Sequence, residues 1–346
     1  MPEFYISQEI LFHQSRGFLT MEHSQLLKER KVLQAGQRAV DPSQFAKSFT
    51  DLSYASDSED QKLDVFLPEA EGVWPLVVFV HGGGWYFGGR REECISSVFK
   101  IVSQGYAVAS VDYRLVPDVE FPAQIHDVKA AIRYLRAHAE ELQVDTDKIV
   151  IWGNSAGGHL SALAAARGDF PELEDLPMGN AGYSSRVDGL LSWYGVYDLL
   201  THQSQLKEVF PDQDGAEDDA VPAMLGDGNF EEKAWKASPI RYVTENYPPT
   251  LIQQGKADRL VPYLQAEEFC RRIREVCGPS RAVVEYFPAA GHGDPQIKAD
   301  SNILRCVRFL DGIYFADTPC TYPRPALPEL YFVASTCSRI DPYEAV

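Results

Sequence analysis

Ile149-Val150-Ile151-Trp152-Gly153-Asn154-Ser155-Ala156-Gly157-Gly158 carries the reading of the fold. Its first four residues are apolar without alternation, as in a strand buried on both faces. The next five match G-x-S-x-G, and the segment from Ala156 to Ala166 is rich in Ala and Leu, a helical texture. A buried strand, a sharp turn with serine at its apex, and then a helix is the context in which this motif presents a nucleophile. Glycine two residues either side lets neighbouring backbone pack where a Cβ would clash. The start of the helix also turns N–H groups towards developing negative charge. Ser155 is the candidate nucleophile.

The same texture extends both ways from this stretch. Leu76 to Val80 and Tyr106 to Val111 are further unbroken apolar runs, and Val187 to Tyr194, Thr250 to Gln254 and Ala282 to Phe287 fit later strands. Between them Pro122 to Leu142 places Ile125, Val128, Ile132 and Leu135 at helical spacing, and Pro262 to Val276 reads as another helix. Strands alternating with helices predict an α/β fold, with a mostly parallel central sheet and helices on both faces. Upstream, Phe49 to Tyr54 and Lys62 to Leu67 flank Asp57-Ser58-Glu59-Asp60, which predicts an antiparallel hairpin. The pattern breaks between Asp198 and Pro239, where Asp212, Asp214, Glu217, Asp218 and Asp219 dominate. We read residues 199–238 as a small helical cap inserted in a catalytic domain spanning 46–315. Residues 1–45 form an N-terminal helical segment expected to share in the cap, and 316–346 form a Pro-rich tail.

His81-Gly82-Gly83-Gly84-Trp85 follows the first long apolar run. This HGGG-type loop supplies backbone donors to a tetrahedral oxyanion, here the N–H groups of Gly83 and Gly84 together with that of Ala156. A phosphate-binding loop is the competing reading. It lacks the Lys-Ser/Thr that would follow, and the spacing is not that of a dinucleotide fingerprint. Trp85, Tyr86 and Phe87 suggest an aromatic wall beside a substrate pocket, and His81 is expected to hold the loop by hydrogen bonding.

A serine nucleophile needs an imidazole oriented by a carboxylate, in the chain order Ser, acid, His. Of the eight histidines only His202 and His292 lie well beyond Ser155. His159 sits on the helix just after the nucleophile, where it cannot easily swing back. His292 lies in the small-residue loop Ala290-Gly291-His292-Gly293-Asp294, after the last predicted strand, and is the expected base. Asp258 follows the Leu251 to Gln254 strand at the end where catalytic groups collect and is the preferred acid. Asp198 is the rival; Asp294 is too near His292 in sequence.

The chain has 346 residues and a formal net charge of −18, which disfavours nucleic acid and anionic membrane as partners. Its densest basic cluster, Lys28-Glu29-Arg30-Lys31, reads as a solvated helix face. No apolar run approaches the roughly 20 residues of a membrane span. Met1-Pro2-Glu3-Phe4 lacks the marks of a secretory signal, so a cytoplasmic location is the expectation, with secretion the alternative if a leader has been removed. Cys94, Cys270, Cys277, Cys306, Cys320 and Cys337 lack metal-ligand spacing and read as isolated, mostly buried thiols. No metal and no cofactor are expected.

With these residues placed, the chain from about Lys62 to Phe315 resembles the alpha/beta-hydrolase carboxylesterases. The similar group holds the hormone-sensitive-lipase-like and the acetyl-xylan/feruloyl (BD-FAE-like) esterases. The markers are His81 to Trp85, Asp112-Tyr113-Arg114-Leu115 with Phe121-Pro122-Ala123, Gly153 to Gly158, Pro248 to Leu251 with Asp258, and Gly291-His292-Gly293. The resemblance implies Ser155, Asp258 and His292 as triad, Gly83, Gly84 and Ala156 as oxyanion donors, and Arg114 with Asp127 as an internal ion pair. Asn154 departs from the acidic residue frequent in the lipase-like branch. The expected activity is hydrolysis of small to medium acyl or aryl esters, with a small-molecule ester as partner and a homodimer compatible with the sequence. An amidase on the same triad, kynurenine-formamidase-like or peptidase-like, and a non-catalytic binding protein on this scaffold are the alternatives.

Overall fold

Each apolar run hides a period of two that sorts its side chains onto opposite faces of one sheet. Leu76, Val78 and Val80 enter one core with Ala107, Ala109, Ile149 and Ile151. Their alternates Val77, Phe79, Val108, Val150 and Trp152 enter a second core behind the sheet. The computed structural model describes residues 40–92, 95–213 and 220–316. The segment before residue 40 with its basic cluster, Cys94, Asp214, Glu217, Asp218, Asp219, and the tail from 317 with Cys320 and Cys337 lie outside the described residues.

The eight strands are β1 (Lys47–Ser53), β2 (Lys62–Leu67), β3 (Trp74–Val80), β4 (Ala107–Val111), β5 (Val144–Asn154), β6 (Gly189–Trp193), β7 (Thr250–Gly255) and β8 (Ala282–Phe287). They pair in the order β1-β2-β4-β3-β5-β6-β7-β8. The hairpin of β1 and β2 is antiparallel, as is β2 on β4, and every pairing from β4 onward is parallel. The expected mixed sheet, mostly parallel, is therefore the one observed. Strand order reverses where β3 meets β4 on one side and β5 on the other, and ligands collect outside the carboxyl ends of strands at such a reversal.

The helices are α1 (Ala123–Ala137), α2 (Ala156–Ala164), α3 (His202–Val209), α4 (Ala220–Leu225), α5 (Phe230–Ala237), α6 (Tyr263–Cys277), α7 (Pro295–Lys298) and α8 (Asp300–Tyr314). The first core is closed by Ile125, Val128, Ile132 and Leu135 of α1, Leu160 and Leu163 of α2, and Phe269 and Ile273 of α6. The second is closed by Val98, Phe99, Ile101 and Val102 of a 3-10 helix and by Ile303, Val307 and Leu310 of α8. Helices therefore cover both faces, as parallel strands require.

The stretch after Asp198, acidic and turn-rich in sequence and expected to form a small helical cap, holds the short helices α3, α4 and α5. They are fastened at several points. Phe121 N–H donates to Met224 O at 2.9 Å, and Lys233 reaches Glu120 at 3.2 Å. Gln265 of α6 accepts from the N–H groups of Tyr197 and Asp198 at 2.8 Å each and donates to Gln205 of α3 at 2.7 Å. Arg114 grips the fully buried Asp127 through Nε and Nη2, at 2.9 and 2.8 Å, which is the expected internal ion pair. Cys270 and Cys306 are buried thiols and Cys277 a partly buried one. Among the described residues no helix is long and apolar enough to cross a membrane.

Candidate active site

Ser155 stands between β5 and α2 with φ 53° and ψ −122°, a backbone state costly for a residue bearing Cβ. The surrounding packing enforces it. A Cβ on Gly157 would stand 2.1 Å from Val80 O, and one on Gly153 would stand 2.2 Å from Gly157 O. Only glycine lets β5, the turn and the start of α2 close this tightly, so the serine is driven above the sheet edge. Ser155 N–H donates to Trp193 O on the neighbouring strand at 2.8 Å.

His292 follows β8 and Asp258 follows β7, so both arrive at the carboxyl end of the sheet beside Ser155. His292 Nδ1–H donates to Asp258 Oδ2 at 2.8 Å, and its Nε2 faces Ser155 Oγ at 2.9 Å. A carboxylate on Nδ1 fixes the tautomer whose Nε2 lone pair receives the hydroxyl proton. Asp258 is fully buried and accepts four hydrogen bonds. Leu260 and Val261 N–H meet Oδ1 at 2.9 Å each, while Gln254 Nε2 meets Oδ2 at 3.1 Å. The edge of the Tyr194 ring lies 4.7 Å, centroid to centroid, from His292.

The glycine loop after β3 packs directly on this turn. A Cβ on Gly82 would stand 2.8 Å from Asn154 Nδ2 and 3.2 Å from Ser155 Cβ. Gly83 and Gly84 adopt φ of 103° and 57°. Among the described residues, the N–H groups of Gly83, Gly84 and Ala156 have no hydrogen-bond acceptor. His81 donates from Nδ1 to Gly82 O at 2.7 Å and stacks on Tyr113 at 4.4 Å, so it holds the loop. Burial pushes its imidazole down to about 4. Arg90, just beyond the loop, is paired with Asp112 and Asp64. Asp112 is pushed up to about 6 by burial, against the opposing pull of Arg90.

The remaining expected residues separate by environment. Trp85, Tyr86 and Phe87 are all buried. Trp85 does not present its indole as a free wall; Nε1–H donates to His159 Nδ1 at 3.2 Å. Tyr86 packs edge-on against Phe87 at 4.8 Å. Asp198, the rival acid, pairs with Arg241 at 3.1 Å, and Asp294 accepts from Gln296 N–H at the start of α7. His202 donates to Leu260 O at 2.8 Å, which ties α3 to the loop carrying Asp258. Sequence reasoning passed over Gln254 and Tyr194. A signal existed for Gln254, a polar side chain at the carboxyl end of a buried strand.

No cluster of three or more His, Cys, Asp or Glu suited to a metal occurs among the described residues. A surface hollow of about 620 Å³, lined in part by Lys148, Arg167, Asp188 and Phe309, lies at the amino ends of the strands, opposite Ser155. It is not where this sheet gathers reactive groups.

The chain is 36% identical over 222 residues to esterase LipC of Mycobacterium tuberculosis, covering 63% of this chain and 53% of LipC. It is 31% identical to esterase LipQ of the same organism, covering 72% of this chain and 58% of LipQ. The chain thus spans little more than half the length of these curated relatives. A truncated carbohydrate esterase from gut microbiota superposes with a TM-score of 0.64 at 26% identity, over 79% of this chain and 98% of that one. A bifunctional GH43-CE protein of Bacteroides eggerthii superposes with a TM-score of 0.66 at 29% identity, over 76% of this chain and 35% of that one. The BD-FAE family model matches residues 63–273, more than half of the sequence and the whole run from β2 through most of α6; the chain belongs to the BD-FAE family of α/β-hydrolases.

Proposed function

We propose that this chain is a serine carboxylic-ester hydrolase acting on small to medium acyl or aryl esters through an acyl-enzyme. The observation that carries the reading is the continuous relay from buried Asp258 through His292 to Ser155 Oγ, at 2.8 and 2.9 Å. Ser155 Oγ attacks the ester carbonyl carbon as His292 Nε2 takes its proton. The carbonyl oxygen becomes an oxyanion facing the N–H groups of Gly83, Gly84 and Ala156, the class of donor worth about 10²–10³ in turnover each. His292 returns the proton to the departing alcohol oxygen, and the C–O bond breaks. Water then attacks the acyl-serine by the same route, releasing the acid and restoring Ser155. The names of the relatives, esterases and carbohydrate esterases, support an ester over an amide.

Residues 46–315 serve as the catalytic domain in this reading, with the insertion at about 199–238 as its cap. The proximity of Ala220 in α4, 3.6 Å from where a Gly84 Cβ would stand, supports the cap. Tyr86 and Phe87, buried just after the glycine loop, then border the acyl side of the pocket. The test is hydrolysis of p-nitrophenyl acetate, butyrate and octanoate, with N-formylkynurenine as the amide comparison. Ser155→Ala is expected to lose at least about 10³-fold in kcat on the best ester. Full activity in that variant refutes the mechanism, and faster turnover of the amide refutes the substrate class.

A further inference from the structure

His159 is buried on the first turn of α2, four residues past Ser155, and the relay above does not use it. Both of its ring nitrogens are engaged. Nε2 lies 2.7 Å from Ala237 O, the last residue of α5, and Nδ1 lies 3.2 Å from Trp85 Nε1. A carbonyl oxygen only accepts and an indole N–H only donates. The proton therefore sits on Nε2, and the Nδ1 lone pair takes the indole hydrogen. One neutral tautomer satisfies both partners, and the cation would lose the indole bond.

The indole bond matters because of where Trp85 stands. Gly83, Gly84 and Trp85 are three successive residues with positive φ, at 103°, 57° and 64°. Glycine adopts that region freely, but a bulky residue there costs on the order of 1–3 kcal/mol and stays only where its surroundings over-determine it. Besides its packing in the first core, three directional contacts hold Trp85. Its carbonyl accepts from Val116 N–H at 2.9 Å, its indole donates to His159, and the two rings meet edge to face at 5.2 Å and 87°. Two of those three come from His159. The loop whose N–H groups face the oxyanion is thus anchored, one residue beyond Gly84, to a histidine that is itself seated on the insertion.

We propose that His159 is a positioning residue that holds the oxyanion loop in register through Trp85 and couples that register to the seating of α5. This rests on the hydrolase reading above. His159 touches no reacting atom; it acts by keeping a strained turn in place, so its loss appears in turnover and not in ground-state affinity.

The experiment measures kcat and KM for p-nitrophenyl acetate in the parent and in His159→Leu, Trp85→Phe, the double variant, His159→Asn and His159→Gln, with Tm for each. Trp85→Phe keeps an aromatic ring and removes only the indole donor. It guards against a histidine variant that does not fold. His159→Leu and Trp85→Phe are each expected to lower kcat about 10–100-fold with KM within about threefold, because a small misplacement of oxyanion donors costs that much. The double variant is expected to match the worse single one, since both break the same contact. Asn keeps an acceptor at the δ position and is expected to stay within about fivefold of the parent, whereas Gln, lacking it, falls with Leu. Parental kcat in both Trp85→Phe and His159→Leu, or losses that multiply in the double variant, overturns the proposal, as does a fall in Tm with kcat unchanged. A parent that neither hydrolyses the ester nor is labelled at Ser155 by a fluorophosphonate overturns the hydrolase reading and this one with it.

Discussion

Replacing Asp258 with Asn changes one oxygen for one NH2 group and puts the relay to its sharpest test. The carboxylate accepts Leu260 and Val261 N–H on Oδ1 and His292 Nδ1–H and Gln254 Nε2–H on Oδ2. An amide carries a single acceptor oxygen, so one side must become a donor. If the NH2 group faced Leu260 and Val261, two backbone donors would be opposed with no means of relief. If it faces His292, the imidazole relieves the clash by moving its proton to Nε2. Gln254 cannot turn over to help, because its Nε2 also donates to Gly255 O and Val261 O at 3.2 and 3.0 Å. The second orientation wins, and it leaves Ser155 facing an N–H instead of a lone pair. Restoring the active tautomer forfeits a charge-assisted hydrogen bond, about 1.5–3 kcal/mol, and strands a buried donor, about 1–3 kcal/mol. The sum, about 2.5–6 kcal/mol, corresponds to a loss of about 10²–10⁴ in kcat. Steady-state hydrolysis of p-nitrophenyl acetate at neutral pH reads this directly, with Asp198→Asn as the comparison expected to stay near parental. A folded Asp258→Asn variant within tenfold of the parent would refute the assignment of the acid and the tautomer argument behind it.

Gly157→Ala would force a Cβ to within 2.1 Å of Val80 O and 2.4 Å of His81 O, both rigid backbone. It is expected to destabilise by at least about 3 kcal/mol, seen as a lower urea midpoint or loss of soluble protein, and a parental midpoint would contradict the packing. Acid should weaken the fold through two buried imidazoles. His81 and His159 are pushed by burial from 6.5 to about 4, so they stay neutral when folded and gain protons when unfolded. Their stabilisation is complete above about pH 6.5 and is lost as pH falls towards 4, up to about 3 kcal/mol each. Asp112, raised from 3.8 to about 6 by burial, acts the opposite way, favouring the folded state as pH falls from 6 towards 3.8 and offsetting about as much as one histidine. The net expectation is a loss of roughly 3 kcal/mol between pH 6.5 and 4, measured by denaturant titration across that range. Stability that rises on acidification would show that these imidazoles are not held neutral.

Much of this site can be read along the chain, for a definite reason. Ser155 lies inside a ten-residue stretch whose strand, turn and helix are all local, and the glycines at Gly153 and Gly157 are demanded by contacts that any such turn must make. The loop of Gly83 and Gly84 is likewise local, and the order of Ser155, Asp258 and His292 leaves few carboxylates and imidazoles to choose among. Helices α3, α4 and α5 were legible only as a helical cap without individual bounds, because each is at most eight residues long. Gln265, the Phe121 N–H and Glu120 hold them in place, from elsewhere in the chain.

Sequence alone determined the class of sheet, the nucleophile's turn, the glycine loop and the candidate relay, because burial on two faces and a strained strand-to-helix turn each restrict residue type at fixed spacing. Tertiary structure decided what those residues rest on. Whether Asp258 or Asp198 meets His292 depends on which strand lies beside β8, whose loop carries His292, and pairing across the sheet puts β7 there, not β6. Trp85 reads as a pocket wall from its place beside Gly84. Only the fold brings His159 to it across 74 residues and Ala237 to His159 across 78, and thereby makes the aromatic an anchor. Such contacts join segments far apart in the chain through single hydrogen bonds, and no local periodicity or motif records them.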